Sequence, residues 1–475
     1  MTKKESTKKH KHSDDDDKVA RISVDNRSRA DRKAEGKALR LAVPLASHAV
    51  WKAPEHRRDS IDLLIESSAG RVPELLPIRY GRMLQSPFTF YRGSAALMAY
   101  DLAGLPTTGI NVQACGDAHL GNFRGIGTPE RRIIFVINDL DETLPAPWEW
   151  DLKRLCASLV VAGRINGHTQ KEQRSSVLAC VASYRERMRE FSKMNALDVW
   201  YFHINADEVI EHMTDGAVKR RVEKRIEKAL DRNTLDDDFP EMVTFENGGH
   251  RIRDNPPLIY HVQSDDGEII DEHALAAFYC YRDTLSDDRR VILDRYEPKD
   301  VARKVVGVGS VGTRCGIVLM MSGSEDPLFL QFKEARASVL EPYVGKSAYK
   351  NHGQRVVMGQ RLIQPVSDIF LGWATGRDGN DFYMRQLRDM KLKPQVEIFE
   401  PETMRIFGEL AGWSLAASHA RSGDSAKIAG YLGKKDEFDE AIADFSESYA
   451  DQNERDHQAL VQAVRDGRLE ARIES

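Results

Sequence analysis

The run Gly307-Val308-Gly309-Ser310-Val311-Gly312 does most to limit what this chain can fold into. A G-x-G-x-x-G turn that binds a dinucleotide opens directly into a helix, whose N-terminus meets the pyrophosphate. Here the next residues, Thr313 to Met321, carry Ile317, Val318 and Leu319 in a row, which is strand-like. The dinucleotide fold is therefore disfavoured, and the glycines at 307, 309 and 312 read as a turn between two strands, with Ser310 at its centre. Glycines at such a turn let backbone N–H groups approach a phosphate with no Cβ in the way. The following strand, Leu328 to Ala335, carries Lys333, 26 residues after Gly307. Gly345-Lys346-Ser347 does not complete a G-x4-G-K-S phosphate loop, because the first glycine would be Leu340.

Around this strand-rich stretch the chain reads as helical. Residues 1–30 are a polar tail whose first part cannot bury enough apolar surface to order itself. Residues 31–235 read as a mainly helical lobe, interrupted at 111–142 by a Gly-rich loop and a strand hairpin. Residues 236–390 read as a β-rich lobe. Its expected strands are Val301 to Val308, Arg314 to Met321, Leu328 to Lys333, Ile369 to Trp373 and Phe382 to Leu387, with helices at Ala274 to Tyr296 and Ala348 to Ile363. Residues 391–475 return to helices that pack on the helical lobe. Of the 475 residues, 41% belong to the AVILMFWYC set and 30% are charged, an ordinary globular balance. A net charge of −5 gives no support for a dedicated nucleic-acid binder. No apolar run approaches the ~20 residues that span a bilayer, and no signal-peptide pattern is visible. The five scattered cysteines, none in a C-x-x-C, point to a reducing cytoplasm.

The most informative chemistry lies in Cys115-Gly116-Asp117-Ala118-His119-Leu120-Gly121-Asn122. It sets an Asp and an Asn five residues apart on a Gly-rich loop. A hairpin, Asn122 to Ile137, then returns the carboxylates of Asn138-Asp139-Leu140-Asp141-Glu142 to the same neighbourhood. Such a set suits phosphoryl transfer: one Asp takes or orients a hydroxyl proton, and hard oxygen ligands hold Mg²⁺ against phosphates. His119 has no second His or Cys at ligand spacing, so an imidazole bonded to the loop backbone is the simpler expectation. Arg92 could bind phosphate or form an ion pair with Asp101 or Glu142.

Gly116-Asp117-x-His119-x-x-Asn122 followed by Ile137-Asn138-Asp139-Leu140-Asp141 is similar to the H-G-D-x-H-x-x-N and I-D-F motifs of aminoglycoside and choline kinase-like phosphotransferases. The resemblance implies an α+β, protein-kinase-like two-lobe fold with helical additions. It implies Asp117 as the catalytic residue and Asn122 and Asp139 as magnesium ligands. Cys115 and Asn138-Asp139-Leu140 depart from the pattern, so Asp141 shares the metal assignment with Asp139. Asp151, in Trp150-Asp151-Leu152, resembles a structural Asp that supports the loop. The strand ending in Lys333 resembles the V-A-I-K strand, with Lys333 and Gly307, Gly309, Ser310 and Gly312 on the nucleotide phosphates and Glu341 as the acidic partner of the lysine. In such kinases the lysine precedes the catalytic loop, whereas here the lysine-bearing sheet follows it by nearly two hundred residues. A circular permutation reconciles the two, with the helix Glu402 to His419 standing where the helix before the catalytic loop should be. Over roughly residues 70 to 465 the chain also resembles the bacterial family of unknown function DUF2252, through Phe90 to Ser94, Cys115 to His119, Asn138 to Glu142, Pro147 to Asp151, Lys153 to Leu155 and Ala417 to Asp424. The expected activity is ATP- and Mg²⁺-dependent transfer to an unidentified hydroxyl acceptor. A nucleotide-binding pseudokinase or scaffold, and an AMP-transferring enzyme on the same fold, are the alternatives. The acceptor and the oligomeric state are not legible.

Overall fold

The computed structural model describes residues 19–211, 216–231, 239–246, 248–261, 272–305, 307–387 and 392–473. The expected boundaries near 235/236 and 390/391, the first part of the polar tail and Val306 of the first expected strand lie outside these residues. The described chain begins at Val19, inside the segment expected to be tail. Val19 bridges to Lys346, and Ala20 is buried.

Mixed helix and sheet is the observed class. The main sheet has six antiparallel strands, in the order Gly372–Thr375, Asp381–Gln386, Pro327–Ala335, Cys315–Ser322, Tyr296–Lys304 and Ile259–Tyr260. Cys315–Ser322 is central and buried at all but its last position. An apolar run without alternation therefore suits it, since both faces are covered. Val318 and Met320 pack under Phe278, Tyr281 and Leu285 on one face. Ile317, Leu319 and Met321 pack against Met242, Val243 and Ile252 on the other. The helix His352–Ile363 follows the strand that bears Lys333 and packs on the same sheet through Val356 and Val357.

The expected helix Ala274 to Tyr296 is two helices, Glu272–Arg282 and Asp287–Leu293, and Tyr296 already belongs to a strand. The break has a local cause. Thr284 Oγ1 donates to the Tyr281 carbonyl, and Ser286 starts the second helix with extended backbone.

The remaining chain packs helix on helix. Trp148–Ile165 is buried from Trp148 through Gly163, so it can only be a central helix. Gln170–Phe191, Pro401–Ser422 and Glu437–Arg465 surround it and share one apolar core. Gln170–Phe191 starts with a reciprocal cap between Thr169 and Glu172, and Pro401 occupies the first position of its helix. The hairpin Phe123–Gly127 with Ile133–Ile137 is as expected in position. A short strand, Asn111–Ala114, pairs with Leu144–Pro147.

Candidate functional site

The loop Cys115 to Asn122 leaves the strand Asn111–Ala114 through Gly116, whose φ of +79° favours glycine. A Cβ there would also lie 2.5 Å from the Glu142 carbonyl oxygen. Asp151, in the first turn of the central helix, holds the loop from behind. Its carboxylate accepts the N–H of Cys115 at 2.6 Å and of Gly116 at 2.9 Å. His419 Nε2 lies 3.2 Å from the same carboxylate, and His419 Nδ1 lies 2.8 Å from the Tyr184 hydroxyl. Through Asp151 and His419 the loop is linked to three helices. Leu120 N–H donates to Ser158 Oγ at 2.9 Å, which fixes its far end.

Asn122 ties the loop to the segment after the hairpin. Its amide oxygen accepts Asp139 N–H at 2.6 Å, and its Nδ2 donates to the Asp139 carbonyl at 2.7 Å. Asp139 and Asp141 both meet Lys333. The lysine Nζ is 3.3 Å from Asp139 Oδ1 and bonded more closely to Asp141. Tyr383 donates its hydroxyl to Asp141 at 2.7 Å, and Ser310 Oγ lies 3.2 Å from the same carboxylate. Burial alone would raise Asp139, but Lys333, Arg385 and Arg124 outweigh it and hold the carboxyl below the usual range. Burial would lower Lys333, but Asp139 and Asp141 hold it well above an ordinary lysine. Asp139 and Lys333 therefore carry charge at neutral pH.

Asp117 sits apart from this pair. Arg154 Nε donates to its Oδ1 at 2.7 Å. Burial pushes the carboxyl up to about 6, with Arg154 opposing. One cavity of about 110 Å³ is lined by Asp117, Asn122, Asp139, Asp141 and the turn Gly307 to Ser310. Gly312 has a φ of +86°, and its carbonyl accepts Val72 N–H at 2.7 Å, which anchors the turn.

Glu341 is elsewhere. It opens the short helix Glu341–Val344, and His352 Nδ1 lies 3.9 Å from its carboxylate, with burial favouring the neutral ring. Lys333's ion pairs among the described residues are with the two aspartates. The helix His352–Ile363 carries no acidic residue. It contributes Arg355, which donates to the carbonyls of Asp141, Thr143 and Arg336. Asp101 is paired with Arg57 at 2.7 Å, so it is not the partner of Arg92. His119 does not bond the loop backbone through its ring: its Nδ1 is buried with no partner in the structure.

Sequence reading missed Arg154, Tyr383 and Arg385. Arg154 did leave a signal, a cation inside the apolar helix Trp148–Ile165, where a buried charge requires a partner. Tyr383 and Arg385 left none, because only strand register aims them at Lys333 and Gln331.

For magnesium, Asp139 and Asp141 supply carboxylates on one spot, while Asn122 already spends its amide on the Asp139 backbone. No group of three or more metal-capable side chains occurs among the described residues. Two carboxylates fit an ion held largely by a substrate's phosphates and water. No helix among the described residues is long and apolar enough to cross a membrane.

A family model described as an uncharacterized protein conserved in bacteria, DUF2252, matches residues 71–463. The chain belongs to the DUF2252 family. The matched span holds the loop at Asp117, the Gly-rich turn, Lys333 and the helix that ends at Ser422. No curated protein and no solved structure matches the chain.

Proposed function

We propose that this protein transfers the γ-phosphoryl group of ATP to a hydroxyl acceptor, on a circularly permuted kinase-like fold. One observation carries the proposal: Lys333 lies on Asp139 and Asp141, although 192 residues separate Asp141 from Lys333 in the chain. Further support comes from topology. The Gly-rich turn joins the first two of three consecutive antiparallel strands, and Lys333 is on the third, as the phosphate-pairing lysine is in kinases. A helix follows before the next strands. The helix Pro401–Ser422 ends against the strand that leads into the catalytic-type loop: Gln113 N–H donates to Ser422 Oγ at 3.0 Å. Chain order differs from kinases while the spatial sequence of helix, strand and loop agrees.

In this proposal the turn at 307–312 and Lys333 bind the nucleotide phosphates. Asp139 and Asp141 would hold Mg²⁺, which when bound neutralises charge on the phosphates. Asn122 fixes the Asp139 backbone. Asp117 accepts the hydroxyl proton as the acceptor oxygen bonds to the γ-phosphorus; the β–γ bridging P–O bond breaks and ADP leaves.

Calorimetry with Mg²⁺·ATP on the wild type, Asp139→Ala and Lys333→Ala tests this. Weaker binding in both variants is expected. Absence of binding by the folded wild type would sink the proposal. Binding without ADP formation against any acceptor would favour the pseudokinase alternative, and label from the α-phosphate on a target would favour AMP transfer.

A further inference from the structure

The same cavity is lined by guanidiniums that phosphate transfer from ATP has not used, beside the carboxylates of Asp117, Asp139, Asp141 and Glu142. Arg79, Arg92 and Arg124 line it, and each has its Nε buried without a partner in the structure. His119 Nδ1, on the same wall, is in the same state. Arg79 is satisfied in part, donating to the Gly93 carbonyl at 2.8 Å. Arg92 makes no ion pair with a carboxylate among the described residues, and neither does Arg124, whose guanidinium reaches the Gly121 carbonyl at 3.4 Å.

Both arginines converge on Gly121, four residues beyond Asp117. A Cβ on Gly121 would lie 3.7 Å from Arg92 Nε and 3.3 Å from the His119 ring. Asp139 is near enough to attract Arg124, but neither guanidinium is bonded to an anion, and paired guanidiniums match a phosphate's oxygens. The lysine already assigned to the nucleotide is committed elsewhere, to Asp139 and Asp141.

We infer that Arg92 and Arg124 form a second phosphate-binding subsite beside Asp117, and that the acceptor is a hydroxyl compound already bearing a phosphate monoester. This rests on the phosphotransfer proposal. The subsite would anchor the acceptor's phosphate at Gly121 and leave its hydroxyl for Asp117. Arg92 also borders the Gly-rich turn, since a Cβ on Gly309 would lie 3.3 Å from the Arg92 carbonyl oxygen. The experiment must therefore separate the acceptor's phosphate from the nucleotide's.

Inorganic phosphate is the probe, titrated calorimetrically into the full chain saturated with Mg²⁺ and a non-transferable imido analogue of ATP. Phosphate is expected to bind the saturated wild type. The double variant Arg92→Gln/Arg124→Gln should lose roughly tenfold or more in phosphate affinity, the scale of one or more charge-assisted hydrogen bonds. The single variant Arg92→Gln, which leaves the attraction between Arg124 and Asp139 in place, should keep its affinity for the analogue within about twofold. Lysine replacements should recover part of the phosphate binding, because charge is kept while the planar fork is lost. If the double variant does not fold, Arg92→Gln alone decides. Phosphate that binds only the nucleotide-free protein, or an Arg92→Gln variant that loses the analogue as well, would assign the arginines to the nucleotide and overturn the inference while leaving phosphotransfer intact. No phosphate binding to the saturated wild type would overturn it too. Failure of the analogue to bind would remove the phosphotransfer proposal and this inference with it.

Discussion

Asp117 is held between two opposing influences, burial that raises its carboxyl to about 6 and Arg154 that resists the rise. In the proposed transfer Asp117 is the general base, which must be deprotonated to act, so activity should fall as pH drops through that value. The kcat/KM profile, which reports the free enzyme, should show an acid limb near pH 6; a flat profile from pH 5 to 8 would remove Asp117 as the base. Asp117→Asn should lower kcat by roughly 10²–10⁴ with ATP affinity little changed, checked by steady-state kinetics beside calorimetry. The same shift has a cost in stability. Between an unfolded carboxyl near about 3.9 and the folded value of about 6, the folded state binds more protons. The contribution of Asp117 to stability is therefore lost as pH rises through this window.

At the scale of elements, close backbone contact decides how the helices seat. Pro401–Ser422 crosses Gln170–Phe191 at Gly412, where a Cβ would lie 2.2 Å from the Cys180 carbonyl oxygen. A carbonyl in a helix cannot swing aside as a side chain can. Gly412→Ala should therefore destabilise by roughly 1–3 kcal/mol, despite a helix-propensity gain of up to about 1 kcal/mol. Urea unfolding measures the difference, and an equal or more stable variant would contradict the packing. The same helix end carries His419 to Asp151 and Ser422 to Gln113, so a shift here reaches the catalytic-type loop. The two central strands were more legible than helix ends, whereas the expected strands Val301 to Val308 and Ile369 to Trp373 are displaced to Tyr296–Lys304 and Gly372–Thr375. The runs at 314–321 and 328–333 are apolar enough to be read directly, and the structure moves their ends only slightly, to Cys315–Ser322 and Pro327–Ala335. The break near Thr284 was not, because it depends on a hydroxyl bonding a carbonyl and on the neighbouring strand.

For the whole molecule, the C-terminal helices are part of the main core. Met404, Leu415, Ile428, Phe438, Ile442 and Phe445 are fully buried in it. Six such side chains at roughly 1.5–3 kcal/mol each match or exceed a typical net stability of about 5–15 kcal/mol. A chain ending at residue 400 should fail to fold, read as aggregation on size exclusion or loss of cooperative melting. A soluble, cooperatively melting fragment would mean that the first 400 residues hold a core of their own.

Local chemistry was determined by the sequence itself. A glycine turn followed by a strand, an Asp and Asn at fixed spacing on a loop, and a lysine in a strand are statements about neighbours in the chain. Backbone geometry and hydrogen-bond reach act over just that range. The tertiary structure decided which of these distant pieces meet. It brought Lys333 to Asp139 and Asp141 and left Glu341 beside His352. It aimed Tyr383 at Asp141 through strand register, and Arg154 at Asp117 through a helix face. Whether a buried charge finds a partner depends on packing between segments hundreds of residues apart, and no local pattern records that.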